Sequence, residues 1–93
     1  MSENETVVLK VGAGSDARAV GSSVAHSVFE GKTVQLRAVG AGAVNQATKA
    51  VAIAQGWTAP RGIRLATIPG FADVEGRDGG TISAITLQVI HAP

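Results

Sequence analysis

The segment Leu36-Arg37-Ala38-Val39-Gly40-Ala41-Gly42-Ala43-Val44-Asn45-Gln46-Ala47-Thr48-Lys49-Ala50-Val51-Ala52-Ile53-Ala54 changes period part-way along. Its first four residues alternate as a strand does, Gly40-Ala41-Gly42 turns the chain, and Ala43, Val44, Ala47, Ala50, Val51 and Ala54 then recur at helical spacing. Small side chains along that stripe predict close packing against whatever lies beneath. The N–H groups of a helix's first turn, together with its dipole, favour an anion, and glycines let a phosphate approach the backbone. Asn45, Gln46 and Lys49 lie on the helix, one face of which carries Asn45 and Lys49 one turn apart, and Arg37 stands just upstream. The segment therefore reads either as a phosphate-facing surface or as a solvated helix face.

Toward the N-terminus, residues 33–39 form a strand with Val34, Leu36 and Ala38 on one face and Gln35, Arg37 and Val39 on the other. Residues 6–11 alternate in the same way, with Val7, Leu9 and Val11 on one side. Between the two strands, Gly12-Ala13-Gly14 breaks the first, Ser15 is the expected N-cap, and Asp16 falls in the first turn of a helix. Ala17, Val20, Gly21, Val24 and Val28 form that helix's apolar stripe, leaving Arg18, Ser22 and Ser23 toward solvent, and Gly31 closes it. Two strands joined by one helix predict a parallel crossover. Residues 1–5 are read as a frayed tail, and 6–93 as a single domain.

Toward the C-terminus, Gly56 is expected to end the second helix, with Trp57 folding back on its last turn. Residues 63–74 read as a strand whose Pro69-Gly70 confines it to a sheet edge or a bulge. A turn at Glu75-Gly76-Arg77-Asp78-Gly79-Gly80 leads to a long last strand, 81–91, apolar in part on both faces. The order is β-α-β-α-β-β, an α/β chain of the α+β two-layer kind: a four-stranded mixed sheet with two helices on one face. Apolar residues left on the far face or at helix ends are available for self-association.

Ninety-three residues suffice for one core of small aliphatic side chains, not for a two-domain enzyme with a deep cleft. The net charge of +1 is not that of a chain that coats nucleic acid by bulk electrostatics. The charges are nevertheless segregated: between Glu30 and Asp73 there is no acid, while Lys32, Arg37, Lys49, Arg61 and Arg64 all fall in that interval. The absence of cysteine excludes a disulfide framework and a thiolate metal site. No apolar run reaches bilayer length, and the polar, acidic start is unlike a signal peptide, so a cytoplasmic location is expected.

Gly12-Ala13-Gly14-Ser15-Asp16-Ala17 fits the loose dinucleotide pattern, but the second strand ends in Arg37-Ala38-Val39 where a ribose-binding acid is required. His26 and His91 are read as surface residues without ligand partners, so neither metal nor cofactor is expected. No serine elbow and no histidine–acid partnership suggests an enzyme. Asp73, Glu75 and Asp78 fit ordinary turn chemistry.

The segment 36–54, followed by Gly56, Ala59-Pro60, Gly62, Ile68-Pro69, Phe71 and Asp73, resembles the stage V sporulation protein S family, over about residues 8–89. That family consists of small bacterial proteins tied to sporulation and developmental control and is similar to the Alba superfamily. The resemblance implies an Alba-like fold, a homodimer or higher homo-oligomer, no catalysis, and binding of DNA or RNA. Alba proteins place basic residues in the loop after the first strand, before the second helix and on the last hairpin. Here those positions read Gly12-Ala13-Gly14-Ser15, Gly40-Ala41-Gly42, and Arg77 outnumbered by Glu75 and Asp78, which implies weaker and more selective binding. The residues carried over are Arg37, Gly40, Gly42, Asn45, Gln46 and Lys49, with Lys10, Arg18 and Arg61 joining them on charge alone. Two other classes stand beside this expectation: a protein–protein module built on the sheet face and Trp57, and a small anion or nucleotide sensor using the Gly-Ala-Gly turns.

Overall fold

Alternating β-branched residues give the first strand, β1 (Thr6–Val11), and helix α1 (Ala17–Phe29) follows it. The parallel partner is β2 (Thr33–Ala38), which runs directly into α2 (Ala41–Thr58). A single 3₁₀ turn (Ala59–Arg61) leads to β3 (Leu65–Glu75) and β4 (Thr81–His91). This computed structural model describes residues 5–93; the tail expected over 1–5 lies, but for Glu5, outside the described residues. The sheet order is β1-β2-β4-β3, with β1 and β2 parallel and the other two pairs antiparallel. The expected mixed sheet with both helices on one face is what forms.

Val34, Leu36 and Ala38 of β2 point into the helices, where they meet Val24 and Val28 of α1, Ala43, Ala47 and Ala54 of α2, and Leu87 and Val89 of β4. Burying each Val or Leu there contributes roughly 1.5–3 kcal/mol. The alanine stripe lets α2 lie close to both the sheet and α1. The tightest point is Gly21: a Cβ at that position would sit 2.8 Å from the carbonyl oxygen of Ala50 and 2.9 Å from Cγ2 of Ile53.

Four local expectations are corrected. Asp16, not Ser15, is the N-cap of α1: its Oδ1 accepts from the N–H of Arg18 at 2.9 Å and of Ala19 at 3.4 Å. Ser15 instead turns back, its Oγ accepting from the N–H of Gly12 at 2.8 Å. Gly56 does not end α2, because the left-handed residue that stops the chain is Gly62 (φ 77°), after Pro60 has tightened the last turn. Trp57 accordingly stays within α2 and is 61% exposed rather than folded back. Finally, β3 begins at Leu65 instead of residue 63. The Ile63 carbonyl is held by Thr58 Oγ1 at 3.0 Å and Gln55 Nε2 at 3.2 Å, which keeps that residue out of the ladder.

Pro69 lies on an edge strand, as expected, and the β3–β4 register runs from Leu65↔His91 to Glu75↔Thr81 without a bulge. The flanking bonds Ala92 N–H to Arg64 O and Gly76 N–H to Gly80 O place the even-numbered residues of β3 in hydrogen-bonded pairs with β4. The Pro69 nitrogen therefore faces outward, where a missing donor costs the ladder nothing and blunts the free edge. The Leu65 N–H on that same edge is taken by Gln55 Oε1 at 2.7 Å. β2 meets β4 only at residues 85–89, so 72–75 and 81–84 continue beyond it as a two-stranded arm.

The closeness of α1 and α2 yields a test. Gly21→Ala should destabilise the fold by about 1–3 kcal/mol, the usual scale of overpacking, because its new neighbour is helix backbone. Urea denaturation measures this; an unchanged midpoint would mean that the helices separate freely.

Candidate nucleic-acid interface

The two strand-to-helix turns lie side by side at the C-terminal end of the parallel β1–β2 pair. Gly42 makes this possible, since a Cβ there would be 2.9 Å from the Ala13 Cβ. Gln46 locks the arrangement: its Nε2 donates to the Ser15 carbonyl at 2.8 Å, tying α2 to the loop before α1. The helix N-termini differ. That of α1 is capped by the chain's own anion, Asp16. That of α2 begins at Gly40 (φ 92°), which has no side chain to cap the first-turn N–H groups.

The residues singled out in the sequence are divided by the sheet. Asn45 and Lys49 are exposed on the outer side of α2, and Gln46 is engaged in its tether. Arg37 alternates away from the helices onto the open face of the sheet, where its Nε donates to Gln35 Oε1 at 2.8 Å. Its register partner on β1 is Lys10, which brings two cations together on adjacent strands. Both line a cleft of about 630 Å³ whose apolar surface includes Val39, Val74 and Ala84 and whose far wall is the arm segment 73–75. Arg18 is exposed on the first turn of α1. Arg61 is elsewhere: its guanidinium lies 3.9 Å from the centre of the Phe29 ring, at the opposite end of α1.

The Lys10–Arg37 pair is not legible from the sequence, because strand alternation gives the face of each residue but not the register between strands. The contribution of Val39 was within reach, since it alternates with Arg37.

Residues 7–92 match the family model described as Stage V sporulation protein S (SpoVS). The chain belongs to that family. SpoVS membership suggests a sporulation-related regulatory role. Among the described residues of this SpoVS chain, no three His, Asp or Glu side chains are grouped to hold a metal ion, and no helix is long and apolar enough to cross a membrane.

The ion pairs of this SpoVS fold gather at the other end, where β1 and β2 begin. Lys32 Nζ reaches Glu30 at 3.1 Å and Glu5 at 3.6 Å. His26, expected to have no acidic partner, stands 3.2 Å from Glu30, one helical turn on. Two groups do not make a metal site. Among the described residues no carboxylate pairs with Lys10, Arg18, Arg37 or Lys49.

Those pairs carry a pH signature. The hydrogen bond from Lys32, then its charge and that of His26, holds the Glu30 carboxyl below its ordinary 4.5. The same bond and charge, with Glu5 adding to them, hold Lys32 above 10.5. The Glu30 contribution is therefore complete above pH 4.5 and lost as pH falls through the lowered value. The Lys32 contribution is complete below pH 10.5 and lost as pH rises through the raised one. Glu30→Gln should lower the urea midpoint slightly between these limits and not beyond them, with the difference shrinking in salt because the groups are exposed. A midpoint difference independent of pH would contradict the assignment.

Proposed function

We propose that this SpoVS-family protein is a non-enzymatic regulator that binds DNA or RNA through the end of the molecule where β1 and β2 meet their following turns. The observation that carries this reading is the side-by-side placement of Lys10 and Arg37, without carboxylate partners among the described residues, on the wall of a cleft of about 630 Å³. Each cation that meets a phosphate releases condensed counterions, which makes binding salt-dependent. The open first turn of α2 adds backbone donors at the same end of the molecule, and Arg18 is exposed on the first turn of α1.

Fluorescence anisotropy with labelled single-stranded RNA, single-stranded DNA and duplex DNA, at low and physiological salt, tests the reading. Lys10→Ala and Arg37→Ala should each weaken binding and reduce the slope of log K against log salt by about 1, the value for one phosphate contact. Lys49→Ala reports in the same way on the helix side. Absence of saturable binding at low salt would remove the proposal.

A second reading, self-association, is favoured by Phe71, which is 80% exposed on the helix side of β3. Beside it, a groove of about 300 Å³ between α2 and β3 includes Val51, Leu65 and Leu87 in its lining. A two-fold contact between copies lets each Phe71 enter the other's groove. Because Pro69 and Gln55 blunt the strand edge, the contact uses side chains rather than added ladder bonds. Light scattering should find a dimer that Phe71→Ser converts to monomer; a monomeric parent chain would refute it.

A further inference from the structure

Strand register orders the open face of the sheet into rows, and the row next to the Lys10–Arg37 pair is built of amides. In sheet order it reads Val8, Gln35, Gln88, Ile68, one residue from each strand. Val8 and Ile68 are exposed apolar ends, so the two glutamines are the row's hydrogen-bonding side chains. They are not equivalent. Arg37 Nε donates to Gln35 Oε1 at 2.8 Å, which leaves Gln35 its N–H donors alone. Gln88 is exposed and, among the described residues, its side chain has no hydrogen-bond partner, so it keeps a donor and an acceptor side by side. The same register turns Asp73 and Glu75 to the Phe71 side of β3. Among the described strand residues the open face therefore carries two cations and no carboxylate.

We infer that Gln88 reads an unpaired adenine in a strand whose phosphates lie on Lys10 and Arg37. This rests on the nucleic-acid reading above and names the base that reading selects. The charge of the face suits an anionic backbone along its cationic row. Gln88 lies diagonal to Arg37 across the β2–β4 pair, a separation of roughly 7–8 Å, so a nucleotide held by its phosphate at one row brings its base over the next. An amide meets adenine with two bonds, accepting from the N6 amino group and donating to N7. The amino group of cytosine is matched by a carboxylate, which this face lacks, and thymine has no amino group to offer. Guanine is matched by Arg or Lys, and here both are engaged by phosphate. The glutamines stand on the two central strands, and a four-stranded sheet is too broad for a groove that admits one helix or a two-stranded ribbon. The base they read is thus one that has left a duplex or never entered one.

Fluorescence anisotropy at physiological salt tests this with the full chain and labelled pyrimidine strands of one length, with and without isolated adenines, made as DNA and as RNA. The adenine-bearing strand should bind about tenfold more tightly, the discrimination of one bidentate pair. Gln88→Ala should make the two strands equal without changing the salt slope; the side chain is exposed, so the fold is not at risk. Lys10→Ala should weaken both strands alike, flatten the slope and keep the preference. Equal binding of the two strands by the parent chain, or a preference that survives Gln88→Ala, overturns the inference while leaving nucleic-acid binding intact. No binding of either strand, at low salt as well, overturns the broader reading itself.

Discussion

The close approach of α1 to α2 sets the position of nearly everything else. Gly21 lies against the backbone of Ala50, and Ala43, Ala47, Ala50 and Ala54 present no more than a methyl group each to the layer beneath. Helices with larger side chains would stand farther apart, and the start of α2 would then not reach the loop that follows β1. Because it does reach it, Gly42 can touch Ala13 and Gln46 can bond to the Ser15 carbonyl. The two strand-to-helix turns become one surface, and the ends of β1 and β2 are held beside it. The small-residue stripe is thus a packing device that positions both turns. It fixes the end of the molecule at which the unpaired cations stand.

Charge follows the same axis. A net charge of +1 conceals two unlike ends. Where β1 and β2 begin, Lys32 lies between two carboxylates, and the attraction is visible as opposite displacements of the Glu30 and Lys32 protonation equilibria. Where they end, Lys10 and Arg37 are brought together by strand register despite their like charge. Like charges opposite one another on neighbouring strands are unfavourable in themselves. The Arg37–Gln35 hydrogen bond orients the guanidinium without neutralising it. On the proposed reading an anion bound there meets two cations without carboxylate partners among the described residues, which the neutralised end cannot offer.

The architecture was legible because each element carries its period plainly: β2 alternates, α2 repeats its small residues at helical spacing, and Pro69-Gly70 confines β3 to the edge. Details set by competition between neighbours were less legible. Ser15 and Asp16 both make good caps, and the choice fell to Asp16 once Ser15 had bonded back to Gly12. Gly56 and Gly62 are both residues able to stop a helix, and only Gly62 adopts the left-handed conformation that does so. At the candidate interface, alternation already set Arg37 on the face away from Leu36 and Ala38, and hence away from the helix residues Asn45 and Lys49 grouped with it by proximity in sequence. Register, which pairs Arg37 with Lys10, depends on how two strands align and leaves no trace in either strand alone.

The arm 72–75 with 81–84 gives the open face its character. A two-stranded ribbon that extends past its sheet twists more strongly than the sheet itself, which is how residues of β3 come to wall a cleft whose other side is β1, although β4 and β2 lie between them. The arm is also the most acidic part of the described chain, carrying Asp73, Glu75 and Asp78 against a single Arg77. A hairpin that reached out to grip a polyanion by charge would carry the opposite sign. Asp73 and Glu75 share the Phe71 face of β3, opposite to the face that carries Lys10 and Arg37. On the proposed reading few phosphate contacts are available, so nonspecific attraction is small. On that reading, so sparse a set of cations fits a regulator that engages few nucleotides better than a protein that coats long stretches of nucleic acid.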